Sequence, residues 1–136
     1  VPQLPLFVYG TLRPGRHNYA RYLQGHTTAE KPARLRGAAL YEGPGYPFAV
    51  PAPHSQVHGD LITLAPAGYA AVLTTLDALE GYAPGAPDNL YERVALPVEL
   101  PTGERPPAWV YLATPTLAHT LRTTGTPIPH GRWPHH

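Results

Sequence analysis

Two acids three residues apart, Asp77 and Glu80, close an apolar helical pattern, and only one of them sits where a carboxylate is out of place. Tyr69, Val72, Leu73, Leu76 and Leu79 follow the i, i+3, i+4, i+7 spacing of an amphipathic helix that ends before Gly81. At about 100° per residue, Glu80 falls one turn after Leu76, inside the apolar stripe, and is expected to face the core. Asp77 lies about 100° from Leu76, at the edge of that stripe. Glu80 also ends the helix, where the negative end of the macrodipole disfavours a carboxylate by roughly 0.3–1 kcal/mol. Burial and dipole both raise a carboxyl pKa, and a Glu raised to about 6–7 can take a proton and return it. A structural alternative stays open: Glu80 turns outward near Gly81, or pairs with an arginine such as Arg93.

The second candidate is a turn. Gly10 stops the apolar run Leu4-Pro5-Leu6-Phe7-Val8-Tyr9, and Thr11-Leu12-Arg13-Pro14-Gly15 follows. Successive backbone N–H groups in such a turn form a concavity that binds anions, carboxylates included. An ordinary strand-to-helix turn also needs glycine, so the spacing leaves both readings open. It is not a Walker loop, since no Gly-Lys-Ser/Thr follows, nor do its glycines match a dinucleotide fingerprint.

Composition narrows the chemistry. With no cysteine among 136 residues, disulfides, thiolate metal sites and cysteine nucleophiles are excluded. Ten basic and nine acidic residues leave a formal charge of +1, scattered without runs. Nucleic acid and anionic membrane surfaces select for basic patches, so neither is expected as a partner. No apolar stretch approaches the roughly 20 residues of a membrane span, and no basic segment precedes an apolar one near residue 1, so a soluble, cytoplasmic protein is expected. His54 and His58 are four apart, but in a loop-to-strand region that spacing does not bring two rings to one helical face, so no metal site is expected. His135 and His136 are expected to form a loose tail.

The elements that must position these residues can be read from the pattern of apolar positions. Leu4 to Tyr9 reads as a buried strand, His17 to Leu23 as a short helix stopped by Gly25, and Thr28 to Tyr41 as strand-like. Pro47 to Val50 and Val57 to Leu64 read as two more strands. Pro66 suits the first turn of the helix that carries Glu80. Tyr91 to Leu100 and Ala108 to Ala113 form a hairpin around Pro101-Thr102-Gly103-Glu104. Residues from about 115 to 136 have few periodic apolar positions and are expected to wrap the surface. No repeat or linker divides the chain, so residues 1–136 are expected to form a single α+β domain with a largely antiparallel, strongly curved sheet in the form of a small barrel.

Phe7-Val8-Tyr9-Gly10-Thr11-Leu12-Arg13 and, about 70 residues later, Leu76-Asp77-Ala78-Leu79-Glu80-Gly81-Tyr82 together resemble the gamma-glutamyl cyclotransferase superfamily. Gly45-Tyr46-Pro47, Gly59-Asp60-Leu61, Tyr91-Glu92-Arg93, Trp109-Val110-Tyr111 and Gly131-Arg132-Trp133 add to the likeness. The resemblance implies a small mixed barrel with flanking helices and a pocket where the first turn meets the acid-bearing helix. It implies a gamma-glutamyl small molecule as substrate, no cofactor, and release of 5-oxoproline with a free amine. It also implies that Glu80 is the catalytic acid/base, that N–H groups of Gly10, Thr11 and Leu12 hold the glutamyl carboxylate, and that Tyr9 lines the pocket. Tyr91 joins these as a substrate-binding candidate. Tyr46 and Tyr111 are open to the same role or to a place in the core with a satisfied hydroxyl. The chain departs from many relatives in its proline-rich segment Ala83 to Asn89, expected at the pocket mouth, and in Arg132, where an acid is frequent. A binding domain that keeps the pocket without turnover is the alternative reading.

Overall fold

The computed structural model describes residues 3–16, 18–43, 46–83, 86 and 89–133. Its centre is the shortest strand. β1 (Leu6–Val8) is buried on both faces, as its unbroken apolar sequence requires. It pairs antiparallel with β3 (Pro47–Leu64) and parallel with β5 (Pro107–Ala113). β2 (Thr27–Glu42) flanks β3, and β4 (Tyr91–Pro97) flanks β5, giving the sheet order β2-β3-β1-β5-β4.

Side chains alternate across this sheet with the period of two that a strand imposes. Leu6 and Val8 join a core cluster with Tyr69, Leu73 and Leu76 of α1 (Tyr69–Leu79) and Ala118 and Leu121 of α2 (Pro115–Thr124). Phe7 and Tyr9 join the other, with Leu35, Leu40, Val57, Leu61 and Val110, on the face that the sheet encloses as it curls. The curl is completed beyond β4, where Arg34 of β2 and Glu99 exchange two backbone hydrogen bonds of 3.0 and 2.8 Å. One bridge therefore joins the two edges, and the α+β, mostly antiparallel, barrel-like sheet expected from the sequence is the one observed.

Local differences have local causes. The two strands expected at Pro47 to Val50 and Val57 to Leu64 are halves of the 18-residue β3, whose pairing with β2 shifts register between Arg36 and Ala38. Such an irregularity bends a strand and raises its twist, which suits closure. The short helix before Gly25 is one π-helical turn, Tyr19–Leu23. Pro66 lies ahead of the helix: α1 starts at Tyr69, with Gly68 as its N-cap. The surface-wrapping tail needs the larger correction. Residues 115–124 form α2, with Pro115 in its first turn and Ala118 and Leu121 buried. Further on, Glu42 donates to the Thr126 carbonyl, Ile128 to that of Leu40, and Ile128 is buried. His135 and His136 lie outside the described residues. Among those described, no helix is long and apolar enough to cross a membrane.

The closure is electrostatic as well as backbone-bonded. Arg34, Arg36 and Arg105 all reach the Glu99 carboxylate. Only 10% of that side chain is exposed, but its cover is guanidinium, so attraction outweighs desolvation. Hydrogen bonds from Arg36 and then Arg34 hold its pKa down at about 2. A carboxylate depressed in this way stabilises the fold fully above its unfolded pKa of roughly 4.3 and loses that contribution as pH falls through about 2. Glu99→Gln is expected to melt lower than the parent at pH 7, with the gap narrowing steadily below pH 4.5 in a series of thermal melts.

Candidate active site

The end of α1 is locked before its side chains are considered. Gly81 adopts φ +67°, a left-handed conformation that costs glycine least, and its N–H bonds the Ala78 carbonyl at 3.1 Å. The Tyr82 N–H bonds the Asp77 carbonyl at 2.8 Å. This is the paired hydrogen-bond pattern of a Schellman cap, and it fixes Glu80 as the C-cap of the helix.

Strand register then separates the two acids. Arg93 of β4 lies directly opposite Tyr111 of β5, so a guanidinium and a phenol stand side by side beneath the helix end. Both go to Asp77. The Tyr111 hydroxyl donates to Asp77 Oδ1 at 2.6 Å, and Arg93 Nε lies 3.0 Å from the same oxygen. The Arg93 contact is an ion pair by distance, but its Nε–H is not aligned for a hydrogen bond. The guanidinium also stacks on Trp109, 4.4 Å from the ring centroid. Trp109 in turn donates to the Tyr69 hydroxyl at 3.0 Å, which donates to the Leu4 carbonyl at 2.7 Å. Both ends of α1 are thereby tied to the sheet.

Glu80 receives none of this. Among the described residues, no hydrogen bond or ion pair reaches its carboxyl, and Arg93, the partner that spacing allowed, is held by Asp77. Glu80 keeps some accessible surface, yet burial of its carboxyl pushes the pKa up to about 7. It lines a cavity of about 240 Å³.

The first turn forms another wall of that cavity. Tyr9, Gly10, Thr11 and Leu12 all line it. Arg13 donates its N–H to the Gly10 carbonyl at 3.1 Å and its Nε–H to Asp60 at 2.7 Å, which anchors the turn on β3. Among the described residues no hydrogen bond uses the N–H of Gly10, Thr11 or Leu12. A Cβ at Gly10 would meet the Pro47 ring at 2.9 Å, so the close approach of turn and β3 admits only glycine without a shift. Tyr46, Tyr91 and Tyr111 complete an aromatic wall. Tyr91 donates to the Pro47 carbonyl at 3.0 Å, and Tyr9 to that of Tyr111 at 2.5 Å. Burial pushes the pKa of Tyr9, Tyr91 and Tyr111 up, so all three stay neutral. Their hydroxyls are largely committed to structure, as buried tyrosines usually are.

All six candidates, Tyr9, Gly10, Thr11, Leu12, Glu80 and Tyr91, thus border one cavity. Other lining residues carried no sequence signal of a place at the site. Asn18 donates to the Thr11 hydroxyl at 2.8 Å from beyond the turn, and Leu90 follows the proline-rich segment. Leu79, read as part of the core stripe, is instead 36% exposed and lines the cavity. Residues 84, 85, 87 and 88 of the segment expected at the mouth lie outside the described residues. Chemically, the arrangement sets a carboxyl that titrates near neutrality beside backbone donors suited to an anion.

The sequence and the fold of this chain have counterparts among known proteins. A family profile described as "Gamma-glutamyl cyclotransferase, AIG2-like" matches residues 6–135. The chain belongs to that family. It is 32% identical over 108 residues to the gamma-L-glutamyl-butirosin B gamma-glutamyl cyclotransferase of Niallia circulans, a match covering 79% of this chain and 65% of that protein. The fold is similar to that of ytfP from Escherichia coli, with a TM-score of 0.64, 24% identity and 96% of each chain covered. It is also similar to that of an AIG2-like protein from Mus musculus, with a TM-score of 0.64, 23% identity, and 84% and 81% of the two chains covered.

The raised pKa of Glu80 has a consequence for stability. Its folded pKa lies near 7 against about 4.5 unfolded, so between these values the unfolded chain ionises first and stability falls as pH rises. The full penalty, on the order of 3 kcal/mol, is present above pH 7. Glu80→Gln carries no charge at any pH and is expected to gain stability relative to the parent across this window, read as a difference in melting temperature that widens from pH 4 to pH 8.

Proposed function

We propose that the protein cyclises a gamma-glutamyl amine, releasing 5-oxoproline and the free amine, with Glu80 as general base and then general acid. The observation that carries the reading is the unpaired Glu80 carboxyl in the same small cavity as the open N–H groups of the first turn. The N–H groups of Gly10, Thr11 and Leu12 hold the substrate's α-carboxylate, and Tyr9 and Tyr91 wall the glutamyl chain into a folded pose. Glu80 removes a proton from the α-ammonium, and the freed amine attacks the γ-carbonyl carbon. The new C–N bond closes a five-membered ring as the old one breaks. Of the three ammonium protons, one stays on the lactam nitrogen and two end on the released amine, with Glu80 carrying protons between the nitrogens. Because the reaction is intramolecular, a held geometry and one proton carrier meet its needs.

The relative from Niallia circulans, by its name a cyclotransferase acting on a gamma-glutamylated compound, supports this reading. A non-catalytic binding domain is favoured by an exposed or ion-paired Glu80; among the described residues Glu80 is half-buried and has no ion pair.

The test is release of 5-oxoproline from a panel of glutathione, gamma-glutamyl dipeptides and gamma-glutamylamines. Glu80→Gln should lower kcat by about 10²–10⁴-fold with a much smaller effect on KM. Since Glu80 acts first as a base, kcat/KM should rise with pH through about 7. No product from any compound sinks the proposal, and equal rates with Glu80→Gln remove that residue from the mechanism.

A further inference from the structure

Two large apolar side chains break the pattern of the surface. Among the described residues, the exposed large hydrophobics are Leu79 at 36% and Leu90 at 48%, and both line the cavity that holds Glu80. A scattered exposed leucine needs no explanation, but two sharing one pocket mouth do. Neither is a loose loop tip. Leu79 is the last residue of the capped helix, and the Leu90 carbonyl accepts the Thr114 N–H at 2.9 Å. Beside Leu90, the Asn89 side chain clasps the Ala83 backbone through two hydrogen bonds of 3.1 and 2.8 Å.

Charge points the same way. Apart from Glu80, no described residue lining the cavity is an acid, and none is Lys, Arg or His. Arg13 and Arg93, the nearest cations along the chain and across the sheet, are bound to Asp60 and Asp77. Among the described lining residues, a carboxylate on the leaving half would meet no cation, and a second ammonium no acid beyond Glu80. The cavity of about 240 Å³ is below the roughly 300 Å³ where pockets for small molecules begin. With the gamma-glutamyl group held between the first turn and Glu80 as proposed above, the amine half lies toward the exposed Leu79 and Leu90.

We infer that Leu79 and Leu90 form the amine-side subsite, and that the leaving half of the substrate is an uncharged, apolar amine. The inference rests on the cyclotransferase reading above. It is tested by comparing gamma-glutamyl-isopentylamide, gamma-glutamylglycine and gamma-glutamylputrescine for 5-oxoproline release by the full chain. The isopentylamide should exceed both charged compounds in kcat/KM by at least about tenfold. Leu79→Ser and Leu90→Ser should each reduce that ratio several-fold, and both side chains are exposed, so thermal melts should show the fold kept. Turnover of a charged compound as good as or better than that of the isopentylamide overturns the inference while leaving the cyclotransferase reading intact. An unchanged ratio in both variants overturns the assignment of the two leucines. No 5-oxoproline from any of the three overturns the inference together with the reading beneath it.

Discussion

The capture of Arg93 by Asp77 decides the chemistry of the cavity. A guanidinium paired with Glu80 would hold that carboxyl ionised. Register assigns it elsewhere: Arg93 and Tyr111 face each other across β4 and β5 and both reach Asp77. Glu80 is left with hydrocarbon and neutral phenols, and its pKa rises to about 7. The pair at Asp77 therefore anchors the helix and also withholds the charge that would quench Glu80. The cap at Gly81 ends the helix directly after Glu80, so Glu80 stays in helical register with Leu76 and Asp77.

Behind the site, the barrel supplies rigidity from the opposite direction. β1 is three residues long, and the turn that follows it has no strand of its own to rest on. It is held by Arg13 on Asp60, a residue of β3 in register with Val8, and by the approach of Gly10 to Pro47. β3 can serve as that support because it is long, bent by its register shift, and closed through β2 onto Glu99. Glu99 and Glu80 show how burial alone does not set a carboxyl pKa: one is covered by arginines and depressed, the other by apolar groups and raised.

Much of this was legible in the sequence, and what was not has a common cause. The helical period of Tyr69 to Leu76 and the position of Glu80 within it are local properties, so the acid stood out without a structure. The turn was legible as a glycine break after an apolar strand, but its open N–H groups depend on what the rest of the chain leaves unclaimed. Arg93 could be named as a candidate partner, yet choosing between Asp77 and Glu80 needed the pairing of Arg93 with Tyr111 across a hairpin. The rim residue Leu90 and the closing bridge at Glu99 are likewise products of tertiary placement. α2 is a different case: Pro115 at its start and the buried pair Ala118 and Leu121 were local signals, too sparse to distinguish from a surface segment.

The central claim is that Glu80 is a desolvated, unpaired carboxyl. Its most direct test is a carbon-13 titration of the side-chain carboxyl resonances, with the Glu80 signal assigned by its absence in Glu80→Gln. A desolvated, unpaired carboxyl at Glu80 should give a midpoint near pH 7. A midpoint at the ordinary glutamate value of roughly 4.3 would contradict the claim.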